Sequence, residues 1–336
     1  MPPPCDELDA QASDAVEELR TITDLVRWGA ARLDDSGVVF GHGTDNAVDE
    51  ALVLVMHSAG LRPGAPESLF ASRLTTTERR AAIDLIVRRI RERIPAPYLT
   101  GRAWFAGLEL ACDLRALVPR SPIAEWIERG FEPWLDPDSV ERVLEIGTGG
   151  GAIAIACAMA FPNATVDAVD VSDAALELAR ENCVAHGVGD RVRLFESDVY
   201  AEVSGHFDLI VSNPPYVDAE TMATLDPEYL HEPRMGLEAG ADGLGCVRRI
   251  LAGAASHLRP GGVLVCEVGA SREALEQAFP AVAFTWLDLS RGGEGVFLLE
   301  AARHGRFDLL KLDQLVDELE VDEFLERPHG RGREPS

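Results

Sequence analysis

Apolar residues recur at helical spacing through the first third of the chain. The first such set follows residue 13 and is formed by Val16, Leu19, Ile22 and Val26. A second helix is predicted near residues 48–56. A third is predicted to begin at Thr75, because Thr75 and Glu78 have capping-box spacing, and to end at Ile94, because Pro95 follows.

From residue 140 onward, short apolar runs alternate with helical segments. The predicted strands are residues 143–146, 166–169, 192–195, 209–211, 263–266, 284–287 and 296–299. Such alternation predicts an α/β, Rossmann-like fold: a parallel sheet with helices on both faces. The last two strands are close together in sequence. By analogy with known folds, we expect one antiparallel strand.

Changes in this pattern predict the domain organisation. Aromatic and branched residues separated by Gly101 and Gly107 indicate a β-hairpin linker. Residues 1–12 are Pro-rich and polar, and we expect a frayed end there. The predicted parts are a helical domain at residues 1–94 with its helices at 13–94, the hairpin linker at 95–118, the α/β domain at 119–303 and an acidic C-terminal tail at 304–336.

The charge balance restricts the class of partner. The 336 residues include 31 Lys and Arg against 57 Asp and Glu, a formal net charge of -26. Such a surface repels phosphate backbones, so nucleic acid is disfavoured as a substrate, whereas a basic protein is attracted. An effect on solubility alone is the alternative interpretation.

The cysteines and the apolar runs indicate the compartment. None of the six cysteines is paired at C-x-x-C spacing, so we expect no zinc site and a reducing environment. No secretory leader is recognisable at the start of the sequence, and no apolar run is long enough to span a membrane. We expect a cytoplasmic protein without a membrane partner.

A glycine-rich turn follows the first strand of the predicted sheet. Glu145 is followed by Gly147, Gly149 and Gly151, and the helix begins directly afterwards. Glycines allow close approach of a ligand to the backbone, and the free N–H groups of a helix start suit a polar ligand. Asp170 ends the next strand, where a carboxylate can accept hydrogen bonds from ribose hydroxyls. A nicotinamide cofactor, S-adenosylmethionine and a turn without ligand all fit this much.

Two further features favour S-adenosylmethionine. Glu145 lies on the strand itself, near the expected position of a cationic sulfonium and amino group. A methyl-acceptor motif also follows the fourth strand, as described next. Asp198, after the third strand, is placed to reach the adenine; a strand-end cap is an equally good interpretation.

The sequence Asn213-Pro214-Pro215-Tyr216 is the most specific motif of the chain. Prolines directly after an apolar strand cannot extend a β-ladder, and they fix the backbone. The Asn213 amide oxygen and the Pro214 carbonyl can accept the two N–H groups of a planar amine, and Tyr216 supplies an aromatic face. We therefore predict catalytic roles for Asn213, Pro214 and Tyr216.

Three other polar features have structural interpretations. We interpret His42, between two glycines, as a turn or substrate-loop residue rather than a base. We interpret His231 as part of a structural loop, with a place at the mouth of the site as the alternative. The basic residues from Arg88 to Arg93 are interpreted as a solvated helix face, with ribosomal RNA contact as the alternative.

These motifs resemble the HemK/Prm family of protein glutamine methyltransferases over about residues 14–302. Within it the chain is similar to the ribosomal-protein branch, the PrmB type. The stretches that carry the resemblance are Ile94–Thr100, Val118-Pro119-Arg120, Glu232-Pro233, Ala241–Leu244 and, for the branch, Phe40–Asn46 and Pro119–Ile123. The acidic tail departs from the branch.

The resemblance implies S-adenosylmethionine-dependent methylation of a glutamine side-chain amide in the third protein of the large ribosomal subunit. It implies that Asn213 and Pro214 bind that amide, and that Gly147, Gly149 and Asp170 surround the cofactor together with Asp198. We expect the helical domain to recognise the substrate, and ribosome assembly intermediates are further candidate partners. Release-factor methylation, DNA adenine methylation and an assembly factor without catalytic activity remain alternatives.

Overall fold

The computed structural model describes residues 5–301, without the side chains of the first two of these. Its first part is a group of helices packed around a shared apolar core. They are α1 (Cys5–Glu18), α2 (Ile22–Ser36), α3 (Ala47–Ser58), α4 (Thr76–Glu92) and α5 (Ala96–Thr100). The predicted capping box is confirmed: Thr75 N–H donates to Glu78 at 2.7 Å, and Glu78 N–H donates back to the Thr75 hydroxyl at 3.3 Å.

The predicted frayed end is wrong for residues 5–12, because helix α1 begins at Cys5; residues 1–4 lie outside the described range. Leu8 is only 2% exposed and packs in the same core as Ala15 and Val16. Leu8 and Ala15 are seven positions apart, which places them on one face of a helix. Within residues 1–12 the prolines are all among the first four, and the composition of that short stretch misled the prediction for the residues after it.

A β-hairpin follows the helices, as predicted. Strand β1 (Arg102–Phe105) pairs antiparallel with β2 (Leu108–Ala111). The two residues of the turn, Ala106 and Gly107, both have positive φ, at 47° and 76°. Such a turn matches the twist of the paired strands.

A seven-stranded sheet forms the rest of the described fold. Its strands are β3 (Arg142–Ile146), β4 (Thr165–Asp170), β5 (Val192–Glu196), β6 (Phe207–Ser212), β7 (Leu258–Glu267), β8 (Thr285–Trp286) and β9 (Val296–Glu300). Their order is β5-β4-β3-β6-β7-β9-β8, and β9 pairs antiparallel with both of its neighbours. The predicted α/β class and the single antiparallel strand are confirmed.

Helices cover both faces of this sheet. They are α6 (Ile123–Glu128), α7 (Ala152–Ala160), α8 (Asp173–Ala185), α10 (Gly245–His257) and α11 (Arg272–Ala278). The short helix α9 (Ala219–Met222) lies in the segment after β6 and has no buried residue. Val143 packs with α6 and α7 on one face, and the next residue, Leu144, packs with α10 and α11 on the other. This alternation follows from the two-residue period of a strand.

The strand order reverses between β3 and β6, which fixes the position of a site. Ile146 pairs with Val169 on one side and with Ser212 on the other. The residues after these three therefore leave the same edge of the sheet, side by side. In open α/β sheets, ligands bind at such a switch point.

The predicted acidic tail lies outside the described residues, as does any helix in it. Within residues 5–301, the helices are all too short or too polar to cross a lipid bilayer.

Candidate active site

The glycine turn lies at the carboxyl end of β3 and borders a cavity of about 540 Å³. Gly147 and Thr148 both donate their N–H groups to the Val169 carbonyl, at 2.8 and 2.9 Å. Gly147 and Gly149 have φ of 74° and 53°, which glycine adopts without strain. The turn thus presents bare backbone to a cavity of the size that small ligands occupy.

Glu145 lies beneath this turn and is buried. The Thr148 hydroxyl donates to its Oε2 at 2.5 Å, and no arginine or histidine side chain of residues 5–301 pairs with it. Burial raises the pKa of Glu145 to about 8. A buried carboxyl that lines a cavity without a cationic partner is suited to receive a positively charged ligand.

Asp170 faces the glycine turn from the end of β4. Its Oδ2 accepts from Gly149 N–H at 2.8 Å, and its Oδ1 accepts from Ser172 N–H at 3.0 Å. Burial raises its pKa, although these hydrogen bonds favour the charged form. The carboxylate therefore both supports the turn and borders the cavity.

Two other predicted cofactor residues differ in their placement. Asp198 lines the cavity, and its Oδ1 lies 2.8 Å from Nη1 of Arg249. Gly151 is not among the residues that border the cavity. It precedes α7 with a φ of 84°, and a Cβ there would lie 3.1 Å from the Cβ of Ala179. Close packing of α7 against α8 explains this glycine.

Asn213, Pro214, Pro215 and Tyr216 border the same cavity from β6. Ser212 holds the start of the motif, because its hydroxyl donates to the Ile146 carbonyl at 2.7 Å. The side-chain amide of Asn213 forms no hydrogen bond with any other residue in the described range. Both of its polar atoms are thus available to a ligand.

The hydroxyl of Tyr216 is as constrained as its ring. It donates to Oε1 of Glu267 at 3.0 Å, and Ser121 donates to Oε2 of the same carboxyl at 2.5 Å. A Cβ at Gly269 would lie 2.7 Å from the Tyr216 ring, so only glycine allows this packing. Burial raises the pKa of Glu267. Sequence reasoning missed Glu267, because nothing near the end of β7 marks it as different from a surface acid.

Residues 217–239 form one wall of the cavity, and we call them the acceptor loop. Val217 donates to the Leu237 carbonyl and accepts from Ala239 N–H, both at 2.9 Å, which closes the loop at its base. Tyr229 and Met235 line the cavity. The motif analysis did not identify this loop as part of the site.

Two buried glutamates anchor the acceptor loop on either side of Tyr229. Glu228 accepts from Arg89 at 2.9 Å, from Arg93 at 3.0 Å and from Val39 N–H at 3.0 Å. Arg89 also donates to Glu50 of α3 at 2.6 Å. The predicted solvated or RNA-binding face is therefore wrong for Arg89, which is fully buried and paired.

Glu232 is the second anchor. Arg120 donates to both of its oxygens, at 2.6 and 2.7 Å, and Val118 N–H donates at 3.0 Å. These contacts, with His42 nearby, lower the pKa of Glu232 to about 2 despite its burial. Arg120 and Glu232 both belong to stretches that carried the family resemblance, which was the available signal for their pairing.

The two histidines discussed in the sequence analysis, His42 and His231, both contact other parts of the fold. His42 is buried, and its ring centroid lies 4.6 Å from that of Tyr229. His231 contacts the Glu92 carbonyl at 2.8 Å and so ties the acceptor loop to the end of α4. Neither residue borders the cavity.

Known proteins resemble this chain in sequence over most of its length. The family model described as the methyltransferase small domain matches residues 133–241. The ribosomal protein uL3 glutamine methyltransferase of Xylella fastidiosa is 48% identical over 311 residues, which are 91% of this chain and 99% of that protein. The protein of the same name from Bordetella pertussis is 46% identical over 285 residues, which are 84% of this chain and 96% of that protein. Among solved structures, a methyltransferase from Pyrococcus furiosus is 23% identical, covers 58% of this chain and 90% of its own, and has a TM-score of 0.42.

Proposed function

The chain belongs to the ribosomal protein uL3 glutamine methyltransferases, and from this premise we propose that it methylates a glutamine side-chain amide of uL3 with S-adenosylmethionine. One observation carries the chemistry. The unpaired amide of Asn213 borders the same cavity as the glycine turn and Glu145. Methyl donor and acceptor can therefore meet at the switch point of the sheet.

The residues present fit S-adenosylmethionine. Glu145 is a buried carboxyl on the cavity wall without a cationic partner among residues 5–301, and the cofactor carries a sulfonium and an amino group. The glycine turn admits a ligand against its backbone, and Asp170 is placed to accept from ribose hydroxyls. When bound, the cofactor supplies an electrophilic methyl group.

Asn213 and Pro214 act on the acceptor. An amide nitrogen is a poor nucleophile, because its lone pair is delocalised into the carbonyl. The Asn213 oxygen and the Pro214 carbonyl would accept hydrogen bonds from the two N–H groups of the acceptor amide, which orients the nitrogen and favours the developing positive charge. A cofactor held between Glu145 and Asp170 would supply the methyl group, and the methylated acceptor nitrogen would lose one proton to water. Tyr216, fixed through Glu267, closes this part of the wall.

The helices α1 to α5 are proposed to contribute to recognition of the protein substrate. Several of their contacts hold the acceptor loop, among them the Arg89–Glu228 pair and the contact of His231 with the Glu92 carbonyl. Choice of one glutamine among many requires contacts away from the reacting amide. Cytoplasmic location and binding to ribosome assembly intermediates belong to the same proposal.

The other functions have less support. A release factor is a less favoured substrate, since the relatives are named for uL3. DNA adenine is disfavoured by the net charge of -26. The complete Asn213–Tyr216 motif argues against a protein without catalytic activity.

The proposed function is tested by incubating the purified chain with labelled S-adenosylmethionine and, separately, purified uL3, release factors and adenine-containing duplex DNA. We expect label on uL3 alone and, by mass spectrometry, a single methyl group on a glutamine. Label on a release factor or on DNA with none on uL3 would overturn the assignment.

A further inference from the structure

The outer face of the acceptor loop combines two exposed apolar side chains. Leu230 is 71% exposed and Met235 is 59% exposed. Met235 also lines the cavity, and Leu230 directly follows Tyr229, which lines it too. Met235 therefore lies where the cavity opens to solvent, and the exposed Leu230 is the sequence neighbour of a residue of the cavity wall. Apolar residues grouped at the mouth of a site commonly mark a binding surface.

The same loop carries unbalanced negative charge. It contains six acidic residues against one arginine and one histidine. Three acids are compensated: Glu228 by the buried Arg89, Glu232 by the partly exposed Arg120, and Glu238 by Arg234, whose Nε lies 2.8 Å from Glu238 Oε2. The other three, Asp218, Glu220 and Asp226, form no ion pair within the described part of the chain. Glu220 and Asp226 are exposed, whereas Asp218 is half-buried and caps α9 by accepting from the N–H groups of Glu220 and Thr221.

We propose that this outer face binds the polypeptide segment that carries the target glutamine, and that it selects a basic segment with an apolar residue close to that glutamine. The proposal rests on the proposed function, because it assumes a protein acceptor. An acceptor amide that reaches Asn213 passes the wall that Tyr229 and Met235 form. The neighbouring apolar residue then contacts Leu230 and Met235.

The loop's own anchoring favours such a role. Glu228 and Glu232 hold its inner side by several hydrogen bonds each. The outer face is therefore presented on a fixed backbone, and little ordering is needed when a segment binds. Preorganisation of this kind strengthens binding without adding contacts.

The apolar part is tested with the double variant Leu230→Ser/Met235→Ser. Both side chains are mainly exposed, so the variant should fold. We expect KM for uL3 to rise about tenfold or more, as for loss of two interface anchors, while kcat falls far less. The dissociation constant of S-adenosylmethionine, measured by calorimetry, should stay within about twofold.

The matched control is Met159→Ser/Val184→Ser. These side chains are 53% and 73% exposed, on α7 and α8, and neither borders the cavity. A similar rise of KM in both double variants, or a normal KM in Leu230→Ser/Met235→Ser, would overturn the docking surface.

The charged part is tested with Glu220→Gln/Asp226→Asn. We expect a higher KM for uL3 at low salt and a weaker dependence of KM on ionic strength, because exposed charges are screened by salt. The control is Glu177→Gln/Asp190→Asn, which removes two exposed, unpaired acids elsewhere. Equal salt dependence in both variants would refute selection of a basic segment.

The experiments distinguish failure of the proposed function from failure of the docking surface. If the unaltered chain labels no uL3, the proposed function is wrong. If it labels uL3 and the loop variants behave as their controls do, the function stands and only the docking surface is wrong.

Discussion

Nη1 of Arg89 lies 2.9 Å from Oε1 of Glu228, although the two residues are 139 positions apart in the sequence. Through this contact, helix α4 holds the acceptor loop beside the cavity. Both side chains are fully buried, and Arg89 also donates a hydrogen bond to Glu50. The helices and the wall of the candidate active-site cavity are therefore linked by an ion pair.

Arg89→Met should be strongly destabilising. It leaves the carboxylates of Glu50 and Glu228 buried without their shared partner, at a cost of about 3–5 kcal/mol. The free energy of unfolding is measured by urea denaturation. The control on the same helix is Arg88→Met, which breaks an exposed pair with Glu92 and should cost about 0–1 kcal/mol. Equal effects of the two substitutions would show that burial of the Arg89 pair has no special importance.

Asn213→Ala should abolish methyl transfer and leave the cofactor bound. Its amide oxygen is needed mainly as charge develops on the acceptor nitrogen, so we expect a loss of roughly 10²–10³-fold in single-turnover rate. Cofactor affinity is measured in parallel by calorimetry. A variant that keeps more than half of the normal rate would contradict the assigned role.

Asp170→Ala should weaken cofactor binding before it affects the chemical step. Loss of a charge-assisted hydrogen bond costs about 1.5–3 kcal/mol, or roughly tenfold or more in affinity. Because Asp170 also accepts from Gly149 N–H, some of the loss should come from a less ordered turn. An unchanged dissociation constant for S-adenosylmethionine would mean that the carboxylate serves the turn alone.

Glu145 should make both cofactor affinity and stability depend on pH. With its pKa raised to about 8, the free protein is protonated there at neutral pH, whereas a cationic ligand favours the carboxylate. Affinity for S-adenosylmethionine should therefore rise with pH up to about 8, with release of a proton on binding. Calorimetry in buffers of different ionisation enthalpy measures that proton.

The free energy of unfolding should change with pH in the direction opposite to cofactor affinity, again because of Glu145. Between the ordinary carboxyl pKa and about 8, the folded protein binds more protons than the unfolded chain, so stability is lost as pH rises through that range. Glu145→Gln should remove both dependences. Persistence of either one in that variant would assign it to another group.

The local parts of the site could be predicted from sequence, because each is a short motif tied to a strand end. Glu145, Gly147 and Asp170 border one cavity with Asn213, since register across the parallel strands β4, β3 and β6 brings their ends together. The alternation of strands and helices, together with the rules of sheet topology, was enough to predict that these strand ends meet.

Contacts between side chains that are far apart in the sequence could not be predicted in this way. Arg89 stands in a run of arginines whose spacing is compatible with a solvated helix face, and nothing near it in sequence marks Glu228 as its partner. Glu267 and Tyr216 meet only because β7 lies beside β6. The sequence predicts a domain boundary at residue 119. Truncation there would remove Arg89 and leave the buried Glu228 carboxylate without this partner.

The acceptor loop leaves and re-enters the fold at a single place, where Val217 bonds to Leu237 and Ala239. Substitutions at its exposed positions, away from Glu228 and Glu232, change this segment without touching the sheet, the glycine turn or Asn213. If the loop selects the substrate as we propose, related enzymes can acquire a new protein target through changes in this one segment and keep the same methyl-transfer chemistry.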